Sequence, residues 1–441
     1  MNAQTKLLLA FFGFFGTMFT ISTIATFLLS IDFFKKFVVY NDDGCFRDSS
    51  FGSSEDQTRF NNNSIIMTEW ETLKYQPGED RPGAMYVASG FRYSDTTQSG
   101  KEFAEKHLTI EKLPLVGFPE GVDFHPHGMS IHKPDNTLYV VNHAFENGGE
   151  RIEVFDIVTH GSEIEIADFD NEVPSKLHYK YSITSDWMKR EMNGILNSVL
   201  AVQPNKFYVT QYEAHAHDRS MSNTRKDLDF FGILFFKRKN TNVFYCEFDP
   251  ANNHLDCKKA AGGFVLANGI THNADFSKIF VSDFVGRFIS VFDRNPSTNE
   301  LTHRIDVKTP HTNVDNIKFD PVSNKIYGAG LSNMYASFKN FALYPGQHKD
   351  ESTSGLIELD YSTNLKKIED HYQGWTLKNT LVTNKLNMIT NGIRMNSHYV
   401  MGSGVGFDGI LVCPIVKDIT PSKPIVKDGT PSKGASSSSE L

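Results

Sequence analysis

The chain has 441 residues, 39% of them hydrophobic and 12% aromatic, which is ample for a large core; all-β repeat folds can build ~250 residues or more as one domain. A net charge of −8 at pH 7 argues against the basic surface that phosphate backbones require, so nucleic acid is not an expected partner. The short basic run Lys237-Arg238-Lys239 reads as a solvated hairpin edge.

Leu7 to Leu29 contain no charged residue, with Lys6 before them and Asp32, Lys35 and Lys36 after. An apolar run of ~20 or more residues is long enough to cross a bilayer, whereas a cleaved signal has an apolar core of ~7–15 with small residues at its exit. Residues 1–36 are therefore expected to form a short cytoplasmic stub and a retained signal anchor. The remainder would then be lumenal or extracellular, or secreted if the anchor were cut. Residues 37–68, polar and rich in Asn and Ser, read as a stalk, with Asn62 in the N-glycosylation sequon Asn62-Asn63-Ser64.

From 69 to 414, short β-rich runs alternate with turn signals such as Asp-Pro-Ala-Asn-Asn at 249–253 and Asp-Pro-Val-Ser-Asn at 320–324. A unit recurs, in which a polar residue precedes a hydrophobic one and a strand with its hairpin follows about a dozen residues later. The polar slots are Glu71 before Met85-Tyr86-Val87, His127 before Leu138-Tyr139-Val140, Asn197 before Phe207-Tyr208-Val209 and Asn268 before Ile279-Phe280-Val281. Asp315-Asn316 precedes Lys325-Ile326-Tyr327, and a looser sixth slot, Thr390-Asn391, precedes Tyr399-Val400-Met401. Six such units of roughly 50–60 residues suit the four-stranded blades of a propeller. The expected fold is all-β, a six-bladed β-propeller over 69–414 behind an N-terminal hydrophobic anchor helix. Ser185 to Asn193 reads as a helical insertion. Residues 415–441, with the tandem decad PIVKDITPSK and PIVKDGTPSK, read as a disordered tail.

Four cysteines suit an oxidising compartment. Cys246 and Cys257 flank a turn and could bridge one hairpin; Cys45 and Cys413 lie near opposite ends of the repeat region, where a bridge would close the ring. Sequence alone leaves three connectivities open.

A polar residue in the same slot of each unit implies that these side chains meet on the propeller axis. Carboxylates and amides predominate, and no slot is a thiol, which suits a hard cation such as Ca²⁺ with its six to eight oxygens better than zinc. Any single Asn-Gly is a common turn dipeptide, but turns do not require recurrence in phase. His127, in Phe124-His125-Pro126-His127-Gly128, and His143, in Val140-Val141-Asn142-His143, would face the same mouth. Histidines beside a polarising cation can take a proton from water.

The motifs FHPHGMSIH and LYVVNH, LNSVLAV and FYVT, GFVLANGITHNADFSKIFVSD and NVDNIKFDP, in this order, resemble the paraoxonase/arylesterase family over residues 69 to 414. That resemblance implies a six-bladed propeller with calcium in its tunnel, a retained N-terminal hydrophobic segment and lactonase or arylesterase activity. By matching motif it places the catalytic calcium on Glu71, Asn197, Asn268, Asp315 and Asn316. It also implies a histidine dyad of His127 with His143 and a clasp of Cys45 with Cys413. The expected substrate is a small-molecule lactone or aryl ester. Some membrane-bound relatives act instead as chaperones or accessory subunits of ion channels, which would make a membrane protein the partner.

This chain departs from the family in three places. The family's leading Glu-Asp pair aligns with Glu71-Thr72, or alternatively with Glu79-Asp80, and its third-blade Asn-Asp is Asn197-Ser198. In the family those Asp residues hold a second, structural calcium with a carbonyl at the position of Met129. Loss of both carboxylates leads to the expectation of one calcium, the second site weak or absent. Finally, Thr210-Gln211-Tyr212-Glu213 stands where the family has Thr-Asn-Asp-His, altering the pocket rim.

Overall fold

A computed structural model describes residues 17, 20–29, 31–36, 38–50, 52–69, 82–144, 147–159, 172–216, 232–233, 236–343, 352–362, 366–368, 371–373, 375–404 and 409–415. Alternating apolar residues make half-buried strands, and the strands assemble as six blades around an axis. Their innermost strands are, in order, Gln57–Arg59, Pro126–His132, Leu196–Gln203, Ala267–His272, Asn313–Asp320 and Ile389–Met395. Each is followed outward by antiparallel partners; in the second blade these are Thr137–His143, Glu150–Thr159 and Pro174–Ile183, with Leu115–Val116 added in parallel at the edge. Wedges of apolar side chains fill the gaps between blades, such as Val141, Ile152, Val199 and Phe207 between the second and third.

The last blade is closed by the beginning of the chain. Its strands Ile389–Met395, His398–Ser403 and Ile410–Pro414 receive Phe46–Asp48 as the outer strand, with Phe46 opposite Val412. Cys45 and Cys413 are disulfide-bonded across this junction, 368 residues apart in sequence. Cys246 and Cys257 are directly opposed cross-strand partners and form the second disulfide. The propeller therefore begins at Phe46: the strands Phe46–Asp48, Gln57–Arg59 and Ser64–Glu69 occupy much of the stretch expected to be a stalk. The expected stalk differs because two of these strands are only three residues long and a turn of three asparagines, 61–63, follows the second.

The helix Asp186–Glu191 forms as expected, capped by the Ser185 side chain accepting from the Met188 N–H. At the N-terminus residues 20–29 are helical, and Phe27 and Ile31 pack into an apolar cluster with Leu266, Phe284, Leu331 and Met334. Asp32 forms a buried ion pair with Arg287 beside it. Among the described residues no helix is long and apolar enough to cross a membrane; most of the expected anchor run and the tandem-decad tail lie outside them.

Candidate active site in the central tunnel

The recurring slot has a local structural cause. Five innermost strands carry a register shift at or beside it: between Pro126 and Met129, Leu196 and Val199, Ala267 and Ile270, Val314 and Ile317, and Ile389 and Asn391. A β-bulge leaves a residue unpaired and re-aims its side chain, here toward the axis. The glycine after the slot serves close packing and not a turn. A Cβ on Gly128 would stand 2.4 Å from the Asn197 carbonyl oxygen, and one on Gly269 would stand 2.7 Å from Asn316 Cα. Neighbouring inner strands can approach this closely only where the side chain is a hydrogen.

The first-blade position is supplied by Glu55, which precedes the innermost strand Gln57–Arg59. Glu71, expected in this role, lies outside the described residues, as do Thr72 and Glu79-Asp80. Glu55 is buried and held from several sides. Its carbonyl accepts from Asn316 Nδ2 at 3.1 Å, Asn391 Nδ2 at 2.9 Å and Thr390 Oγ1 at 3.0 Å. The sixth slot thus anchors the backbone of the first. The signal for Glu55 was an acidic pair, Glu55-Asp56, directly ahead of a three-residue strand too short to show alternation.

Around Glu55 stand Asn197, Asn268 and Asn316, all buried, and Asp315, partly so. Asn197 Oδ1, Asn268 Oδ1, Asp315 Oδ1 and Asn316 Oδ1 are buried acceptor atoms with no hydrogen-bond partner among the described residues. Orphaned buried acceptors are rare and unfavourable unless something completes them. The structure thus brings Asn197, Asn268, Asp315 and Asn316 into one oxygen cluster. Burial and the charge of Asp56 push the Glu55 carboxyl up to about 8. Burial and then Glu55 hold Asp315 well above the usual carboxylate range. Two carboxylates, Glu55 taking one weak bond from Asn316 Nδ2 at 3.4 Å, and three amide oxygens form a set that a hard cation can satisfy. Among the described residues no three His, Cys, Asp or Glu side chains group as a metal site, since amides provide most of the oxygens.

His127 borders this cluster. Its Nδ1 lies 2.9 Å from the Asn197 carbonyl, which can only accept, so Nδ1 carries the proton and Nε2 is the basic nitrogen. Nε2 faces Glu55 Oε1 at 3.4 Å. Burial lowers the His127 pKa below its ordinary value and favours the neutral ring. The His143 ring is 5.0 Å from that of His127, centroid to centroid, so the two expected histidines are neighbours.

A third group, absent from the expectations, is Glu150. Its carboxylate lies 2.9 Å from His143 Nδ1 and accepts from the Gly194 and Leu196 N–H groups at 2.8 and 3.1 Å. Glu150 is the direct cross-strand partner of His143. A pairing across a hairpin whose loop holds Asn147-Gly148-Gly149 was a signal available in the sequence. At the rim the Tyr212 ring lies 6.4 Å from His127 at an interplanar angle of 27°. Its hydroxyl donates to the Gly194 carbonyl at 3.1 Å.

Below the cluster, successive inward residues of the fifth inner strand, Asn316, Lys318 and Asp320, line the tunnel at the two-residue period of a strand. Asp320 closes the far end between Arg59 at 2.9 Å and Arg394 at 3.1 Å. Asn62 lies in the turn after the first inner strand, where its side-chain oxygen accepts from Arg59 at 3.0 Å and the sequon's Ser64 is buried.

Residues 78–345 match the arylesterase family. Curated relatives include human serum paraoxonase/lactonase 3, 27% identical over 256 residues, covering 55% of this chain and 62% of that protein. Rat serum paraoxonase/arylesterase 2 is 31% identical over 229 residues, covering 51% of this chain and 53% of its own length. The chain therefore spans less than two thirds of the relatives it matches. Among solved structures, a luciferin-regenerating enzyme aligns over 84% of this chain and 94% of its own, with TM-score 0.43 and 10% identity. The family match covers more than half of the chain, and the six-bladed architecture accompanies it: the chain belongs to the paraoxonase/arylesterase family.

Proposed function

We propose that this protein hydrolyses esters or lactones in its tunnel mouth, with a calcium ion held by Glu55, Asn197, Asn268, Asp315 and Asn316. One observation carries the reading: four orphaned acceptor oxygens lie in one cluster with a buried carboxylate that is bordered by the basic nitrogen of His127. Bound there, calcium would supply Lewis-acid polarisation of the substrate carbonyl. His127 takes a proton from water at Nε2, while the Asn197 carbonyl fixes its tautomer. Glu150 fixes His143 through Nδ1, and His143 in turn packs against the His127 ring.

The same side carries the N-terminal helix, and Phe33, Phe34, Val38 and Phe236 are exposed. A membrane lying against them, with the propeller lumenal or extracellular, is the placement this favours. A second reading, a non-enzymatic accessory subunit for a membrane protein, draws on Tyr212, whose ring lies over the His127 side of the mouth.

The deciding experiment is hydrolysis of phenyl acetate and a lactone panel by the purified protein, with and without EDTA, beside Asn268→Ala. Chelator-sensitive turnover lost in the variant supports the enzyme. Calcium binding without turnover supports the accessory reading, and full turnover in Asn268→Ala removes the proposed site.

A further inference from the structure

Half-way down the tunnel the protein places a cation of its own. Lys318 Nζ donates to Asp56 Oδ2 at 2.8 Å and to the Met129 carbonyl at 3.3 Å. The two side chains are only 10% and 0% exposed, so the pair is shielded from water. The Asp56 carboxylate is otherwise well satisfied: Oδ2 accepts from the Met129 N–H at 2.9 Å, and Oδ1 from the Gln57 N–H at 2.9 Å. The Ser198 hydroxyl is buried and has no hydrogen-bond partner among the described residues. It lies on the third inner strand beside Gly128, where a Cβ would stand 2.9 Å from Ser198 Cβ.

We infer that the Lys318 ammonium is the resident cation of the tunnel's midpoint, tying the first, second and fifth blades together and leaving no room for a divalent ion on Asp56. Two missing carboxylates give the expectation of a second site that is weak or absent. The structure changes that reason, because the carboxylate Asp56 is present and already neutralised. A divalent ion there would have to displace a tethered ammonium and gain one carboxylate, one carbonyl and one hydroxyl, too few charged oxygens for Ca²⁺. The ammonium, a point charge on a flexible stem, needs only the carboxylate and the carbonyl that it has. Breaking one partner of a buried ion pair leaves the other charge uncompensated, so Lys318 is also structural. The inference concerns the number of metals and rests on the calcium reading only for the site at Glu55.

The test uses the full chain, stripped of metal, with calcium counted by equilibrium dialysis and stability followed by thermal melting. The wild type is expected to bind one calcium. Lys318→Met is expected to melt ~4–6 °C lower, the loss that an uncompensated buried carboxylate brings to a domain of this size. The double variant Ser198→Asp, Lys318→Asn, which restores a second carboxylate and removes the ammonium, is expected to bind one calcium more than the wild type and to regain stability in millimolar calcium. Two calciums in the wild type, an unchanged melting temperature for Lys318→Met, or no added calcium in a folded double variant would each overturn the inference. No calcium in the wild type, with one in the double variant, would sink the Glu55 site and leave the role of Lys318 intact.

Discussion

At the mouth of the tunnel buried oxygens stand without donors, whereas at its far end Asp320 is held between Arg59 and Arg394 and the midpoint carboxylate has Lys318. Both regions are built from the same inward positions of the same inner strands, so topology does not separate them. The difference lies in where the protein supplies positive charge. Where it does so, the network is closed and holds blades together. Where it does not, Glu55 and Asp315 are left with carboxyls that burial drives toward protonation. The contrast divides one tunnel into a working end and a structural end, and perturbing each end should give different losses.

The largest expected effect is at the mouth. Chelation is expected to abolish turnover of phenyl acetate, with recovery on calcium and not on magnesium, since Mg²⁺ demands near-ideal octahedral geometry and gives up its waters reluctantly. Next, His127→Gln removes the proposed general base and is expected to lower kcat by ~10²–10⁴ with calcium stoichiometry unchanged. The acid limb of the wild-type profile follows from the same residue. Burial lowers its pKa and the neutral ring is the active form, so turnover should fall only as pH drops through a value below the ordinary ~6.5. An acid limb above that value would contradict the assignment.

The far end should respond in stability and not in chemistry. Asp320→Asn strips the counter-charge from two arginines, and a broken buried pair typically costs ~3–5 kcal/mol. Denaturant melts should register that loss while kcat/KM per folded molecule stays at the wild-type level. Cys45→Ser releases the outer strand of the last blade and is expected to destabilise by ~2–5 kcal/mol, since the bridge closes nearly the whole chain. A change in kcat in either variant would blur the division between the two ends.

The slots of the second to fifth blades were legible in the sequence because a bulge needs a particular pair, a polar side chain to aim inward and often a glycine to let the next strand approach, as at Gly128 and Gly269. The first blade was not, because its inner strand is three residues long and its alternation is lost in the Asn-rich turn that follows. Glu55 is placed by contacts from Asn316 and Asn391, more than 250 residues away in sequence, which no local pattern reveals. Lys318 was hidden for the opposite reason: in Asn316-Ile317-Lys318-Phe319 it alternates like a solvated strand residue. Only ring closure turns that face into a tunnel. Residue spacing alone leaves three cysteine pairings open; the family resemblance implies the Cys45–Cys413 clasp, and the pairing of Phe46–Asp48 with Ile410–Pro414 gives it a physical reason.

The smallest predicted effect tests the working end one step away from the chemistry. Glu150 is not one of the cluster's oxygens; it holds His143 and caps the N–H groups of Gly194 and Leu196. Glu150→Gln keeps the shape but offers one acceptor oxygen where the carboxylate had two. The expected cost is ~10–100-fold in kcat, the usual scale for a group that orients a functional histidine. A role in scaffold alone would show as a lower melting temperature with kcat intact. A positioning role predicts the reverse, together with a shifted acid limb, because removing the carboxylate charge lowers the affinity of the paired imidazoles for a proton. Of the two, only the second outcome joins Glu150 to the histidines and extends the working end of the tunnel to the second-blade hairpin.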